Sequence, residues 1–173
     1  SGMPRSFAQP IVETMARINP RPVIFALSNP TSKAECTAQE AYSWSEGRAI
    51  FASGSPFEPV TCLGQRFVPG QGNNAYIFPG VGLGVIAVES RRVTDRMFFA
   101  SARALAQQVL PADLEQGRIF PALSRIRDVS AHIAAAVAEV AYEQKHAAKR
   151  RPADLLAFMR AQMYEPDYLP YVG

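Results

Sequence analysis

Three asparagines stand in two short stretches of the chain that could bind a polar ligand. Asn29 follows Ser28 directly before a proline, and Asn73 and Asn74 follow a Gly-Gln-Gly run. An asparagine amide offers a hydrogen-bond donor and an acceptor at once. Because serine, asparagine and proline are also ordinary turn formers, spacing alone leaves a binding site and a plain strand-ending turn both open.

The first stretch ends a short apolar segment. Residues 23–27 are apolar without a break, and Pro30 follows three residues after the last of them. Such a run between turn signals predicts a central strand of a parallel sheet, buried on both faces. Pro30 ends the strand because it lacks an N–H and disfavours helix at Asn29. Ser28 and Asn29 would then lie at the carboxyl end of the strand, where open α/β sheets bind ligands.

A second apolar run repeats this pattern. Residues 49–52 are apolar and lead into Ser-Gly-Ser-Pro at residues 53–56. Between the two runs, Thr37 and Glu40 have the spacing of a capping box, and Gly47 follows as a helix stop. Helix and strand therefore alternate, and two adjacent parallel strands would place both polar tips on one edge of an α/β sheet.

The other segments are predicted mainly from periodicity and turn residues. Gly64 marks the turn of a loop or hairpin. The glycines at 80, 82 and 84 do not fit the dinucleotide spacing G-x-G-x-x-G and favour helix entry or helix packing. The tail, residues 164–173, is expected to dock on a neighbour or on another part of a longer chain. Helices are predicted near residues 7–18, 81–90, 96–110, 111–116 and 155–163, and an Ala-rich helix from Asp128 or Ser130 to about 145.

Composition limits the function classes. The chain has 173 residues, 18 basic and 15 acidic, and a net charge of +3 without a basic stripe, which argues against nucleic-acid binding. Cys36 and Cys62 fit no metal or redox spacing and are predicted to be free thiols in a reducing compartment. Neither a membrane span nor a signal peptide is visible. We expect a cytoplasmic protein, with mitochondria and plastids as open alternatives.

Four segments resemble one enzyme family. Residues 21–42 contain Leu-Ser-Asn-Pro-Thr, residues 47–57 contain Ala-Ser-Gly-Ser-Pro-Phe, and residues 69–80 read Pro-Gly-Gln-Gly-Asn-Asn-Ala-Tyr-Ile-Phe-Pro-Gly. These motifs, with residues 126–135, resemble the malic enzymes, which are NAD(P)-dependent oxidative decarboxylases of malate. The likeness covers nearly the whole chain in order.

The resemblance implies that this is the C-terminal part of such an enzyme. Residues 1–110 would be the C-terminal portion of a Rossmann-like, three-layer NAD(P)-binding domain with parallel strands. Residues 111–173 would be a helical extension and tail. The family's general-acid tyrosine, general-base lysine, glycine fingerprint and ligands of Mg²⁺ or Mn²⁺ lie upstream of the matched segments. No catalytic residue and no metal ligand is therefore expected in this chain.

The asparagines carry over from the family one by one. By resemblance, Asn29, Asn73 and Asn74 line the site where malate meets the nicotinamide of NAD or NADP. Asn29, Asn74 and Asn73 are the expected substrate contacts, and Asn74 is favoured over Asn73. Ser28, Asn29 and Asn73 are the expected cofactor contacts. Neutral amides can hold a dicarboxylate without adding a titratable group beside the acid and the base.

Two functions follow as alternatives. In the first, the chain is part of a malic enzyme that converts malate to pyruvate and CO₂, and is inactive alone. In the second, it is a non-catalytic, self-associating fragment or assembly module that pairs through an exposed sheet edge. We expect a homo-oligomer with malate or pyruvate as ligand of the intact enzyme, without nucleic acid or membrane as partner. The choice between NAD and NADP stays open.

Overall fold

A computed structural model of the protein describes residues 3–165, which form two compact units. The first unit contains residues 3–76 and 105–126, and the second contains residues 77–104 and 127–165. These units are packing units of this chain. The predicted division into a nucleotide-binding portion, 1–110, and a helical extension, 111–173, concerns the intact enzyme and stays a prediction.

Helices and strands alternate in the first half of the chain, and helices make up most of the second half. In chain order the elements are α1 Gln9–Ile18, β1 Val23–Ala26, α2 Ala38–Trp44, β2 Ile50–Ser53, β3 Val60–Cys62, β4 Gln65–Phe67, β5 Gly70–Gln71, α3 Phe78–Ala87, α4 Asp95–Gln107, α5 Pro111–Glu115, α6 Ile126–Glu143 and α7 Leu155–Ala161. Short 3₁₀ helices cover Thr31–Lys33, Asn74–Tyr76 and Leu123–Arg125.

A parallel sheet organises the first unit. Its strand order is β1-β2-β5, and β1 pairs with β2 from Val23 opposite Ile50 to Ala26 opposite Ser53. The prediction of an α/β fold with two adjacent parallel strands is confirmed. The prediction that β1 is central and buried on both faces does not hold within residues 3–165, where β1 is an edge strand and Val23 is 49% exposed. An apolar run indicates that a strand is largely covered, but it does not fix the strand's place in the sheet.

Aromatic side chains fill the core between the sheet and the helices of the first unit. Tyr42, on α2, stacks on Phe67 with the ring centroids 4.4 Å apart and meets Phe51 edge-on. Val12 of α1 and Ile24 of β1 belong to the same buried cluster. This packing holds the amino-terminal helices against the strands whose ends form the candidate site.

The predicted cap and glycine stop of α2 and the predicted turn at Gly64 are confirmed, although α2 ends at Trp44. The Thr37 hydroxyl oxygen accepts the N–H of Glu40 at 3.1 Å, and the Glu40 carboxylate accepts the N–H of Thr37 at 2.8 Å. Gly47 follows α2 with a φ of +73°. Strands β3 and β4 are antiparallel, and Gly64 in their turn has a φ of +79°. Glycine suits both positive-φ positions because it has no Cβ.

Close contact between α3 and α6 shapes the second unit. A Cβ on Gly80 would lie 2.6 Å from the Cβ of Ile133, and one on Gly84 would lie 2.6 Å from the carbonyl oxygen of Ala134. Of the two predicted roles, helix packing is confirmed for Gly80 and Gly84, whereas a Cβ on Gly82 would meet nothing within 4 Å. Helix α6 begins at Ile126, slightly before the predicted start at Asp128 or Ser130.

Three predictions concern termini, thiols and membranes. Residues 166–173, most of the tail that was expected to dock on a neighbour, lie outside the described residues. Cys36 and Cys62 are free cysteines, as predicted. Among residues 3–165, no helix combines the length and the apolar character needed to cross a bilayer.

Candidate functional site

The carboxyl ends of the three parallel strands meet at one edge of the sheet. Strand β1 ends at Ala26, β2 at Ser53 and β5 at Gln71, and the register places Ala26 and Gln71 on either side of Ser53. The chain segments that follow are residues 27–29, 54–55 and 72–74, which we call the sheet rim. All the asparagines predicted to bind a ligand are in the sheet rim.

Asn29 is held by the segment that follows β2. The Ser55 hydroxyl donates to Oδ1 of Asn29 at 2.6 Å, and the N–H of Gly54 donates to the carbonyl oxygen of Ala26 at 3.2 Å. Asn29 is exposed, and within residues 3–165 its Nδ2 makes no hydrogen bond. The acceptor of this amide is therefore engaged by Ser55, and its donors have no partner among the described residues.

Gly54 is the point of closest approach in the sheet rim. A Cβ added at Gly54 would collide with the carbonyl oxygen of Leu27 and would lie 2.6 Å from Oδ1 of Asn29. A carbonyl oxygen belongs to the backbone and cannot swing away as the end of a flexible side chain can. The contact between the two strand tips therefore depends on the absence of a side chain at position 54.

A buried carboxylate holds the residue before Asn29. Glu35 is 6% exposed; one of its oxygens accepts the N–H of Ser28 at 3.2 Å, and the other accepts the Ser28 hydroxyl in a short hydrogen bond. Burial acts to raise the pKa of Glu35, but the hydrogen bonds from Ser28 and from the Glu35 backbone outweigh it and lower the pKa. The ionised form that accepts both bonds is therefore the stable form at neutral pH.

The adjacent asparagines differ in their partners. Oδ1 of Asn73 accepts the N–H of Ala75 at 2.8 Å, and its Nδ2 lies 3.5 Å from the carbonyl oxygen of Gly54. The first bond is a local turn contact of the kind asparagine often makes. Asn74 is exposed at the start of its 3₁₀ helix, and its side chain makes no hydrogen bond within residues 3–165. Asn73 thus shapes the loop, whereas the oxygen and the nitrogen of the Asn74 side-chain amide are both available to a ligand.

Aromatic residues support this loop from below. Phe120 stacks on Tyr76 with the centroids 5.6 Å apart, and the Tyr76 hydroxyl donates to the carbonyl oxygen of Pro121 at 2.5 Å. A Cβ on Gly70 would lie 3.4 Å from Phe120, and one on Gly72 would lie 3.0 Å from Leu27. Glycines therefore let the loop lie close to these side chains.

The structure brings two of the three predicted asparagines together. Asn29 and Asn73 both contact the segment of Gly54 and Ser55, and Asn74 follows on the same loop. Sequence reasoning singled out neither Ser55 nor Glu35 as a member of the site. The Ser-Gly-Ser-Pro repeat after the second apolar run was a usable signal for Ser55. Glu35 lies seven residues after Ser28 in a segment without periodicity, so no local signal marked it.

Other groups with possible chemistry have local roles. Burial raises the pKa of the Cys36 thiol to about 12, so this thiol stays protonated and is a poor nucleophile at neutral pH. Nδ1 of His132 lies 2.9 Å from the carbonyl oxygen of Asp128, one turn earlier in α6. Among residues 3–165, no three His, Cys, Asp or Glu side chains are grouped so that they could hold a metal ion.

Comparison with known proteins gives a consistent result. Residues 1–142 match the family described as malic enzyme, NAD binding domain. The chain is 54% identical to the NADP-dependent malic enzyme of Phaseolus vulgaris over 172 residues, which are 99% of this chain and 29% of that protein. It is 53% identical to the chloroplastic NADP-dependent malic enzyme of Zea mays over 172 residues, 99% of this chain and 27% of that protein.

A solved structure supports the same assignment. The malic enzyme of Pyrococcus horikoshii Ot3 superposes with a TM-score of 0.65 at 26% identity, over 91% of this chain and 31% of that one. The Rossmann-like α/β fold is thereby confirmed. The chain spans less than a third of the length of these relatives. By sequence and by fold, this chain belongs to the malic enzyme family.

Proposed function

We propose that this chain forms one wall of the site in which a malic enzyme oxidises malate and releases pyruvate and CO₂, with reduction of NADP. NAD is the alternative cofactor. One observation carries the proposal: Asn29 and Asn73 meet at Gly54 and Ser55, on the carboxyl edge of a parallel sheet. That edge is where α/β folds bind nucleotides and their substrates. The names of the relatives supply the choice of NADP over NAD.

The amide donors of the sheet rim suit a dicarboxylate. Nδ2 of Asn29 and the amide of Asn74 are exposed, and neither donates a hydrogen bond within residues 3–165. Malate presents carboxylate oxygens as acceptors, so both side chains can bind it without introducing a charge or a titratable proton. Their role is orientation, because C2–H of malate must face the nicotinamide ring during hydride transfer. Asn73 keeps the loop in shape for Asn74.

The described residues fit only part of the cofactor. We assign Ser28, Asn29 and Asn73 to the nicotinamide end, whose carboxamide oxygen could accept a hydrogen bond from Nδ2 of Asn29. When bound, the cofactor accepts the hydride. The Mg²⁺ or Mn²⁺ expected in the intact enzyme is assigned by resemblance to carboxylates upstream of the matched segments, and the sheet rim offers no set of ligands for it.

Kinetics of a full-length malic enzyme that contains this chain test the roles of the asparagines. We expect Asn29→Ala and Asn74→Ala each to lower kcat/KM for malate by about 100-fold, because a misoriented substrate reacts slowly. The free energy of unfolding should change by less than about 0.5 kcal/mol in Asn74→Ala and by about 1 kcal/mol in Asn29→Ala, which loses the hydrogen bond from Ser55. Asn19→Ala is a control away from the sheet rim: it removes an amide that donates to Met15 at the end of α1, and it should leave the kinetics unchanged. Wild-type kinetics in both rim variants would refute the proposed role.

The isolated chain provides a second test. We expect the 173-residue chain to produce no NADPH from malate with Mg²⁺ or Mn²⁺ present, because the residues proposed for acid and base chemistry are not among its own. The full-length enzyme at equal concentration is the positive control. Metal-dependent NADPH formation by the purified chain would show that its own residues are sufficient for catalysis.

The exposed edge of β1 favours a second candidate function, self-association. Val23 is 49% and Leu27 is 45% exposed, and within residues 3–165 no strand pairs with the outer edge of β1. Unpaired edges pair readily with other chains. Light scattering should then give the mass of a dimer or larger assembly for the isolated chain and a monomer for Val23→Lys. A monomeric wild-type chain would exclude this candidate.

Assembly and location of the intact enzyme are further proposals. We propose a homo-oligomer, with malate or pyruvate as its ligand and with neither nucleic acid nor membrane as partner. A cytoplasmic location stays a prediction, since the relatives include a chloroplastic enzyme.

A further inference from the structure

We propose that Glu35 and Ser55 are positioning residues that fix Asn29 as a hydrogen-bond donor toward an anionic ligand. This inference rests on the proposed role of Asn29 in binding malate. Glu35 holds the backbone turn that carries Asn29, and Ser55 satisfies the amide oxygen of Asn29, so that its NH₂ group is left for the ligand. Neither residue needs to touch the ligand.

The first part of the argument concerns the burial of Glu35. Removing a carboxylate from water is costly unless hydrogen bonds compensate it. Glu35 is 6% exposed, and each of its oxygens receives a hydrogen bond from Ser28. Bonds to a carboxylate are short and strong, so they restrain both the backbone and the side chain of Ser28. Because Ser28 directly precedes Asn29, this restraint fixes where the Asn29 side chain leaves the sheet rim.

The second part concerns the amide orientation of Asn29. The last torsion of an asparagine side chain has a broad, roughly two-fold profile, so its oxygen and nitrogen can exchange places at little cost. The Ser55 hydroxyl donates to Oδ1 at 2.6 Å and so satisfies the amide oxygen in the orientation that leaves Nδ2 for a ligand. An anionic ligand selects this orientation over the flipped one, in which the Ser55 hydroxyl would accept from Nδ2. Ser55 is itself fixed, because the buried Ser53 hydroxyl donates to the Ser55 carbonyl oxygen at 2.8 Å. Nδ2 of Asn29 is then the group offered to solvent.

The orientation defines the class of ligand. An outward NH₂ group binds acceptors, such as the carboxylate oxygens of a dicarboxylate or the carbonyl oxygen of a carboxamide. The flipped amide would present Oδ1 to a carboxylate and repel it. Ser55 therefore supports the orientation of the amide that binds the ligand, whereas Glu35 fixes the position of Asn29.

Glu40 offers a matched control for Glu35. It accepts the N–H and the hydroxyl of Thr37 at 2.8 and 3.0 Å, which are the same two kinds of bond that Glu35 accepts from Ser28. These bonds cap α2, and none of them reaches the sheet rim. Glu40→Gln should therefore weaken the cap of α2 without changing the kinetics with malate.

A set of variants in the full-length enzyme tests the proposal. We expect Ser55→Ala and Glu35→Gln each to lower kcat/KM for malate and to raise its Kd by about tenfold. The Kd is measured by calorimetry with Mg²⁺ and without nicotinamide cofactor. Ser55→Thr retains a hydroxyl and should restore most of the wild-type values. Combined with Asn29→Ala, neither substitution should lower kcat/KM further, because residues that act through one group are not additive.

The outcomes separate this inference from the proposed function. Wild-type kinetics and Kd in Ser55→Ala or Glu35→Gln would overturn the positioning role, as would losses that multiply with that of Asn29→Ala. If Asn29→Ala alone had no effect, the proposed function of Asn29 would fail and the inference with it. A loss of folding in Glu35→Gln alone would leave Ser55→Ala and Ser55→Thr, which still decide whether the amide orientation matters.

Discussion

Each unit of the molecule has a glycine with no room for a side chain, but the neighbours of the two glycines differ. In the first unit, the space at Gly54 is bounded by the carbonyl oxygen of Leu27 and by Oδ1 of Asn29. In the second unit, the space at Gly80 is bounded by the side chain of Ile133 and the carbonyl oxygen of Ser130. One contact brings two polar strand tips together, and the other lets two helices approach.

The surroundings show what each contact accomplishes. Gly80 and Gly84 are one turn apart on the side of α3 that meets α6, whereas a Cβ on Gly82, between them, would meet nothing within 4 Å. That pattern is typical of helix packing, in which small residues let the backbones come close. At Gly54 the neighbouring amide belongs to a proposed ligand contact. The same residue type therefore serves stability in one unit and, by our proposal, side-chain placement in the other.

The largest effect is expected for Gly54→Ala. The new Cβ would collide with the backbone at Leu27, so we expect the chain to lose about 3 kcal/mol of stability or more, the upper range for overpacking. Urea unfolding measures this loss. In the full-length enzyme, the folded fraction should also lose kcat/KM for malate, because Asn29 is displaced. A stability loss with normal kinetics would mean that the contact at Gly54 is packing alone, like the one between α3 and α6.

A smaller effect is expected between the two helices. Gly80→Ala places a Cβ 2.6 Å from that of Ile133 and should cost about 2 kcal/mol, with unchanged kinetics in the folded enzyme. Gly82→Ala is the matched control, since it adds the same methyl group to the same helix in open space. It should stabilise the chain by up to about 1 kcal/mol through helix propensity. Equal effects of the two substitutions on the urea midpoint would contradict the packing role of Gly80.

The parts of this comparison were not equally visible in the sequence. The apolar runs at 23–27 and 49–52 each precede a polar tip and a proline, so they predicted two parallel strands with both tips on one edge. Strand β5 went unpredicted, because Gly70 and Gln71 have neither an apolar run nor alternation and are a strand only through pairing with β2. The edge position of β1 depends on which strands are present, which periodicity does not encode.

The site was predictable only to the level of residue type. Asn29, Asn73 and Asn74 stood out through their motifs, but their different partners depend on tertiary contacts across the sheet rim. Glu35 could not be found in this way, because its bonds to Ser28 close an irregular loop. Long-range hydrogen bonds to loop residues have no characteristic spacing in the sequence. A helix cap such as that of α2 has a fixed spacing, so it can be predicted.

The smallest change in stability is expected for two buried tyrosines of the first unit, Tyr42 and Tyr76. The Tyr42 hydroxyl has no hydrogen-bond partner in the described part of the chain, and burial raises its pKa to about 12. Tyr42→Phe keeps the ring that stacks on Phe67, so stability should be unchanged or rise by about 1 kcal/mol.

Tyr76→Phe is the control, because its hydroxyl donates to Pro121 beneath the loop of Asn73 and Asn74. It should cost about 1 kcal/mol, the usual net value of one hydrogen bond and more where an acceptor is left unsatisfied. Midpoints of urea unfolding at constant slope measure both changes. If Tyr42→Phe lost as much stability as Tyr76→Phe, the Tyr42 hydroxyl would have a partner after all. The core around Tyr42 would then depend on hydrogen bonds, as the sheet rim does.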